Sequence, residues 1–260
     1  DSGADVFVWS EALSQLARNA LLGEDVRVRL RVTVGGNACD DEEDYETLLE
    51  SAEPRPLGMR VPGSDVAMLM YTSGTTGRPK GVMLTHENLL WSAINYLSAG
   101  LPIRASDRTV AVAPMFHIGA LGLQVLPLLY VGGTVVVLPS FDAVQTLTAM
   151  ANERVTVQFL VPSMWSALVT VPDFEGYDLS ALELAVTGGA PCPLPVLEYF
   201  RGRGVPFQEG FGMTETAPSG TLLDADHVKD KAGSIGRPMY YLQTRIVDEN
   251  DRDVPTGEVG

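Results

Sequence analysis

Short apolar runs alternate with stretches of helical spacing along most of this chain. Residues 5–10 read as a strand and 11–22 as a helix with one apolar face. Residues 26–34 alternate valine, arginine and leucine, the pattern of a strand with one wet face. The run 66–71 is continuously apolar and reads as a buried strand, and Val82, Met83 and Leu84 follow a polar, glycine-rich interval. Thr85 is a good N-cap, and 88–97 continue as a helix. Residues 109–113 form an apolar strand ending at Pro114, and 118–131 a long apolar segment spaced by glycines. Residues 134–138 then read as a strand, and Asp142 caps a helix reaching about Arg154. Strands at 155–161, 182–187 and 205–208 alternate with helices opening at Pro162 and spanning 193–203.

Strands that alternate with helices argue an α/β fold of mostly parallel sheets covered by helices. The tail changes character: residues 242–248, a polar turn at 249–253 and then 258–259 read as antiparallel, the start of a small β subdomain. The expected division is therefore 1–238 and 239–260. Pro54, Pro56 and Pro62 mark a connection before the strand at 66–71. The acidic run 40–44 reads as a solvated loop or a helix start, where negative charge is favourable. As a cation site it lacks anything to fix its geometry.

Composition narrows the classes. Hydrophobic residues make up 45% of the 260, enough for a real core. The net charge of −15 argues against nucleic acid and anionic membrane surfaces as partners. Cys39 and Cys192 are isolated, with no CxxC, which fits a reducing cytoplasm and not a zinc site. No apolar run reaches the length of a membrane span, and the first residues have no signal-peptide character.

The chemistry centres on Tyr71-Thr-Ser-Gly-Thr-Thr-Gly-Arg-Pro-Lys-Gly81. A glycine-rich loop after a strand offers backbone N–H groups to an anion, and its lysine adds a cation. Thr72, Ser73, Gly74, Thr75, Thr76, Gly77 and Lys80 are the candidate phosphate-binding residues. The loop is not a Walker A loop, because Gly74 and Gly77 are too close and Lys80 is followed by glycine. A Ser/Thr/Gly surface linker is the plain alternative, but a linker needs no Pro-Lys-Gly ending between two apolar strands.

Two further segments end strands, where ligands sit in open α/β sheets. In Gly210-Phe-Gly-Met-Thr-Glu-Thr216, Phe211 can stack on a base, Thr214 can donate to a phosphate, and Glu215 can hold Mg²⁺ through oxygen. In Thr187-Gly-Gly-Ala-Pro191, bare backbone at Gly188 and Gly189 permits close approach of a flat ligand; a tight strand-to-helix turn is the strong competitor. His117, in Pro114-Met-Phe-His-Ile-Gly119, ends a strand and starts the apolar segment. A lone histidine near apolar residues is more often structural than catalytic. Trp165 reads as core.

Together these motifs closely resemble those of the acyl-adenylate-forming (AMP-binding) superfamily, and most of all fatty acyl-CoA ligases. The resemblance runs in family order over nearly the whole chain. It implies ATP- and Mg²⁺-dependent activation of a carboxylic acid, a fatty acid in the first instance, to an acyl-adenylate, followed by thioester formation with CoA. It also implies site roles. Gly188, Gly189, Ala190, Pro191, Gly210, Phe211 and Gly212 would form the adenine site, with Phe211 standing where the family usually has tyrosine. Thr214 would meet the α-phosphate, and Glu215 would be the metal ligand. His117 would lie near the substrate carboxylate; amino-acid-activating relatives have aspartate there, which argues against an amino acid. Gly233-Ser-Ile-Gly-Arg-Pro238 resembles the family's structural turn and is assigned no catalysis.

Family members are about twice this length, so the chain reads as a central part of the large N-terminal domain, an incomplete and by itself poorly active piece of the enzyme. A Thr-Gly-Asp segment, the hinge to the mobile C-terminal domain and that domain's catalytic lysine are not found in it. Two rivals follow: a fatty acyl-AMP ligase without CoA transfer, and a nucleotide-binding module without turnover. Acyl chain length and assembly into a homo-oligomer stay open.

Overall fold

The computed structural model describes residues 2–23, 26–74, 77–99 and 103–260. The chain divides into two compact units, Asp1–Val61 and Pro62–Gly260. The connection marked by the prolines thus separates the units, while the expected boundary at 238/239 falls inside the second.

The first unit is a small parallel sheet, order β1-β2-β3, with β1 at Val6–Ser10, β2 at Leu30–Val34 and β3 at Glu43–Asp44. The helices α1 (Ser14–Ala20) and α2 (Tyr45–Ser51) belong to it. The strand expected over 26–34 is shorter: residues 26–29 are irregular, and pairing with β1 begins at Leu30. The acidic run splits by role. Asp44 caps α2 by accepting from the Thr47 N–H at 2.9 Å. Glu42 is not solvated as expected: its side chain is 3% exposed and takes a two-pronged ion pair from Arg18, at 2.7 and 2.9 Å.

That pairing, with hydrogen bonds from Thr33 and the Cys39 N–H, holds the Glu42 carboxyl down at about 2 from an ordinary 4.5. A depressed carboxyl contributes stability that is present above its unfolded pKa and lost as pH falls through the folded one. Glu42→Gln is therefore expected to lower the melting temperature at pH 7 and to flatten its decline between pH 4.5 and about 2. Parallel melting curves for both proteins across that window would refute the assignment.

The second unit is built on a five-stranded sheet, order β12-β11-β10-β9-β8. Its strands are β8 (Val157–Phe159), β9 (Leu184–Gly188), β10 (Phe207–Phe211), β11 (Thr221–Leu223) and β12 (Arg237–Pro238). Strands β8, β9 and β10 are parallel, and β11 and β12 add antiparallel pairs. The α/β reading is borne out, and β9 is buried at every position, as a strand covered on both faces must be. Side-chain alternation divides two cores across it. Ala185 faces a large cluster with Trp165, Phe200 and Phe207, while Leu184 and Val186 face a smaller one with Tyr96, Phe159 and Met239.

A parallel pair, β6 (Arg108–Ala111) and β7 (Thr134–Val137), lies beyond β8. The buried Gln158 side chain bridges to it: its amide donates to the Val110 carbonyl at 2.9 Å and its oxygen accepts from the Val110 N–H at 3.1 Å. The helix α6 (Ala143–Asn152) opens on Asp142 as expected, with the Gln145 N–H at 2.8 Å. Pro162 opens α7 (Pro162–Val169), and α8 spans Leu194–Arg201.

One strand departs from expectation. The run at 66–71 belongs to β4 (Val66–Thr72), which forms an antiparallel hairpin with β5 (Lys80–Thr85) rather than a buried strand. Val66, Leu69 and Tyr71 are each 41–50% exposed, whereas Met70 and Leu84 pack with Ile118 and Ala217. A continuous apolar run cannot reveal that one face is left open.

In the tail, Val247 and Asp253 make an antiparallel bridge around the polar turn. Among the described residues, no helix is long and apolar enough to cross a membrane.

Candidate active site

The site lies at the carboxyl ends of β9 and β10, on the Tyr96 side of the sheet. Gly188 and Gly210, the last residues of one glycine segment's strand and the first of the other segment, are direct neighbours across the two strands. A Cβ on Gly188 would stand 2.9 Å from the Gly210 carbonyl oxygen, so no larger side chain fits without moving backbone. Glu209 ties the segments further by accepting from the Cys192 N–H at 2.8 Å. Burial and then the negative charge of Glu209 push the Cys192 thiol up to about 12, which favours its protonated form.

After β10 the chain makes a short 3₁₀ turn, Thr214–Thr216. The Thr216 hydroxyl closes it by accepting from the Met213 N–H at 3.1 Å. This turn presents Thr214 half-buried and Glu215 to solvent.

His117 comes to the site from a separate element. It is the N-cap of a helical stretch that begins as α4 (Ile118–Ala120), passes through a π-helical turn (Leu121–Val125) and ends as α5 (Leu126–Val131). The segment predicted only as glycine-spaced and apolar is therefore helical. The π turn carries Gln124, which donates to the Thr109 hydroxyl and fixes the stretch against β6. The His117 ring rests against Phe116 at 4.6 Å between centroids.

A cavity of about 430 Å³ unites these elements. His117, Gly188, Gly189, Gly210, Phe211, Gly212 and Thr214 all line it. Ala190, Pro191 and Glu215 stand outside its lining, on exposed backbone next to it. The described phosphate-loop residues, Thr72, Ser73, Gly74, Gly77 and Lys80, do not line it either. Thr72 pairs with Lys80 at the loop end of the β4–β5 hairpin, and Ser73, Gly77 and Lys80 are exposed. The Gly77 N–H closes the loop onto the Gly74 carbonyl at 3.4 Å; Thr75 and Thr76 lie outside the described residues. The hairpin is oriented toward the site because Met70 and Leu84 pack on Ile118, which follows His117, and on Ala217, which follows the Thr214–Thr216 turn.

The remaining lining was not foreseen. Tyr96, Leu123, Phe159, Val161, Met164 and Leu222 form an apolar interior. Helical or strand periodicity marks such positions as buried, and nothing local separates residues that fill a core from residues that surround a hole.

Residues 1–260 match the family described as AMP-binding enzyme. This chain belongs to that family. Among AMP-binding relatives, feruloyl-CoA synthase of Amycolatopsis sp is 39% identical over 264 residues, covering 100% of this chain and 50% of that protein. Indoleacetate–CoA ligase of Aromatoleum aromaticum is 37% identical, covering 83% of this chain and 42% of its own length. The chain spans about half the length of the curated relatives it matches. Among solved AMP-binding structures, the N-terminal domain of FACL13 from Mycobacterium tuberculosis superposes with a TM-score of 0.84 at 28% identity, covering 97% of this chain and 62% of that one.

Whether the family's metal fits is a question of donors. Among the described residues no cluster of three or more His, Cys, Asp or Glu forms a self-contained metal site. Mg²⁺ does not require one, since it is commonly held by one or two carboxylates together with substrate phosphates. The solvent-facing Glu215, beside the cavity, meets that description.

Proposed function

We propose that this chain supplies the acid-activating site of an AMP-forming acyl-CoA ligase acting on a carboxylic acid with an apolar acyl group. The observation that carries the reading is the cavity itself. Its mouth is bare glycine backbone with Phe211, Thr214 and His117, and its interior is apolar.

A carboxylate and a triphosphate are both anions, so the barrier to joining them is largely charge and alignment. In this reading Phe211 stacks on adenine above Gly188 and Gly210. Thr214 donates to the α-phosphate, and His117 holds the substrate carboxylate against it. Residues Thr72–Lys80 bind the departing pyrophosphate, with Lys80 as the cation. Mg²⁺, when bound, neutralises phosphate charge, and Glu215 is the residue that would hold it. The acyl-adenylate so formed then passes its acyl group to the CoA thiolate, which breaks the acyl–phosphate bond and displaces AMP. Two unpaired cysteines support a reducing compartment, the cytoplasm.

Within the class, a fatty acid is the first reading, because aliphatic side chains dominate the interior. An aryl acid is the second, favoured by the rings of Phe159 and Tyr96 in that lining and by relatives named for feruloyl and indoleacetate substrates.

The test is acid-dependent pyrophosphate release with fatty, aryl and α-amino acids. Fatty or aryl acids are expected to turn over, and free amino acids at least about tenfold less well, a difference of about 1.4 kcal/mol. Preferential turnover of an amino acid would sink the assignment. Absence of pyrophosphate release together with tight AMP binding would favour the module without turnover.

A further inference from the structure

The apolar end of the cavity contains one hydroxyl that the reading above does not use. Tyr96 is 4% exposed and packs with Val157, Phe159, Leu184 and Val186 while lining the cavity. Among the described residues its hydroxyl has no hydrogen-bond partner, yet its oxygen is not among the buried, sealed ones. Burial pushes the phenol above its ordinary pKa, so the group stays protonated and can both donate and accept. An unpaired hydroxyl in apolar surroundings is costly, and a ligand that pairs with it recovers that cost.

The position is fixed. The helix carrying Tyr96, α3 (His86–Ser98), starts on a capping box between Thr85 and Asn88. Ser92 is bonded to Ser219 at 2.8 Å, and the Asn95 side chain accepts from the Tyr241 N–H at 3.0 Å. Tyr96 is also far from the reacting end. Its neighbours Val186 and Leu184 precede Gly188 by two and four residues. At ~3.3 Å per residue they lie roughly 7 and 13 Å down the strand from the glycine floor.

We infer that Tyr96 is a specificity-determining residue whose hydroxyl recognises a hydrogen-bonding group at the far end of the acyl portion. The substrate class it selects is an aryl acid with a hydroxyl, or similar polar hydrogen, remote from the carboxylate. This rests on the acid-activating reading, in its second, aryl form, and deepens it. The aromatic part stacks among Phe159 and the Tyr96 ring, and the polar end meets the phenol.

The experiment compares wild type with Tyr96→Phe, which removes one oxygen and keeps the ring. The probes are 4-hydroxycinnamate and cinnamate, read by kcat/KM for pyrophosphate release and by calorimetric affinity. Wild type is expected to favour the hydroxylated acid about 5- to 10-fold, mainly through KM, as one neutral hydrogen bond allows. The variant should lose that preference, read as the ratio of the two acids within each protein. Because the hydroxyl has no partner among the described residues, Tyr96→Phe should also melt at or above the wild-type temperature. An equal preference in both proteins, or a destabilised variant, overturns the inference. If neither acid is turned over, the acid-activating reading fails for these probes, and the affinity ratio alone decides for or against Tyr96. Failure of both acids to bind overturns the inference as well.

Discussion

Replacing Gly212 by alanine is expected to cut acid-dependent pyrophosphate release by about 100-fold. The backbone at Gly212 is not in the left-handed region, so its torsions do not demand glycine. Space does. A Cβ there would overlap the carbonyl oxygen of Pro218 and lie 2.8 Å from its carbonyl carbon. Both are backbone atoms, so no side chain can rotate away. The segment between them carries Thr214 and Glu215, and Ala217 within it packs against Met70, Leu84 and Ile118. To admit a methyl group, the turn must move relative to the Gly188–Gly210 floor. A displacement of about 1 Å at a positioning group is enough to cost about 10²-fold in rate. AMP affinity, measured separately, should weaken as well, because Phe211 precedes the displaced residue. Far-UV circular dichroism should be unchanged, since the sheet itself is untouched. Activity within threefold of wild type would show that the turn does not hold reacting groups in place.

The largest effect on stability is expected from Trp165→Ala. Trp165 is completely buried, edge-on to Phe200 at 4.9 Å and to Phe207 at 5.2 Å, in the core on the far side of the sheet from the cavity. Its indole N–H donates to the Val186 carbonyl at 3.1 Å. That carbonyl also accepts from the Leu160 N–H, so truncation does not orphan it, and the loss is mainly packing and cavity. Large-to-alanine changes of buried aromatic residues cost about 3–5 kcal/mol. That is a large share of the ~5–15 kcal/mol that holds a typical domain together. Urea unfolding should show the loss as a lower midpoint with an unchanged slope. Trp91→Ala provides the contrast: Trp91 is 42% exposed against Tyr241 and should change stability far less. A loss below about 1 kcal/mol at Trp165 would mean that the core closes over the gap, contrary to the dense aromatic packing seen here.

Local signals carried much of the architecture. Thr85 and Asp142 were legible as caps because an N-cap acts on N–H groups only two or three residues away. The alternation of strands and helices was enough for the α/β class, and the strand ends at Gly188 and Gly210 were legible because glycine segments follow short apolar runs directly. His117, Gly188, Gly189, Gly210, Phe211, Gly212 and Thr214 are drawn from separate segments and meet around one cavity.

Other features depended on partners far along the chain. The run at 66–71 looks like a buried strand, yet its neighbour is β5, and the hairpin leaves one face open. Glu42 looks like one carboxylate in a solvated run, yet Arg18, distant in sequence, draws it under cover. Tyr96 shows as a buried position on a helix, but whether its hydroxyl meets protein or an open cavity depends on Phe159, Val186 and Met164, each from a different element. By itself the sequence determined most of the elements, the caps at Thr85 and Asp142 and the chemical types at the site, since these arise from interactions within a few residues. Only the tertiary structure decided which apolar faces are covered, which charges are paired and where the cavity lies, because each depends on side chains brought together by closing long loops.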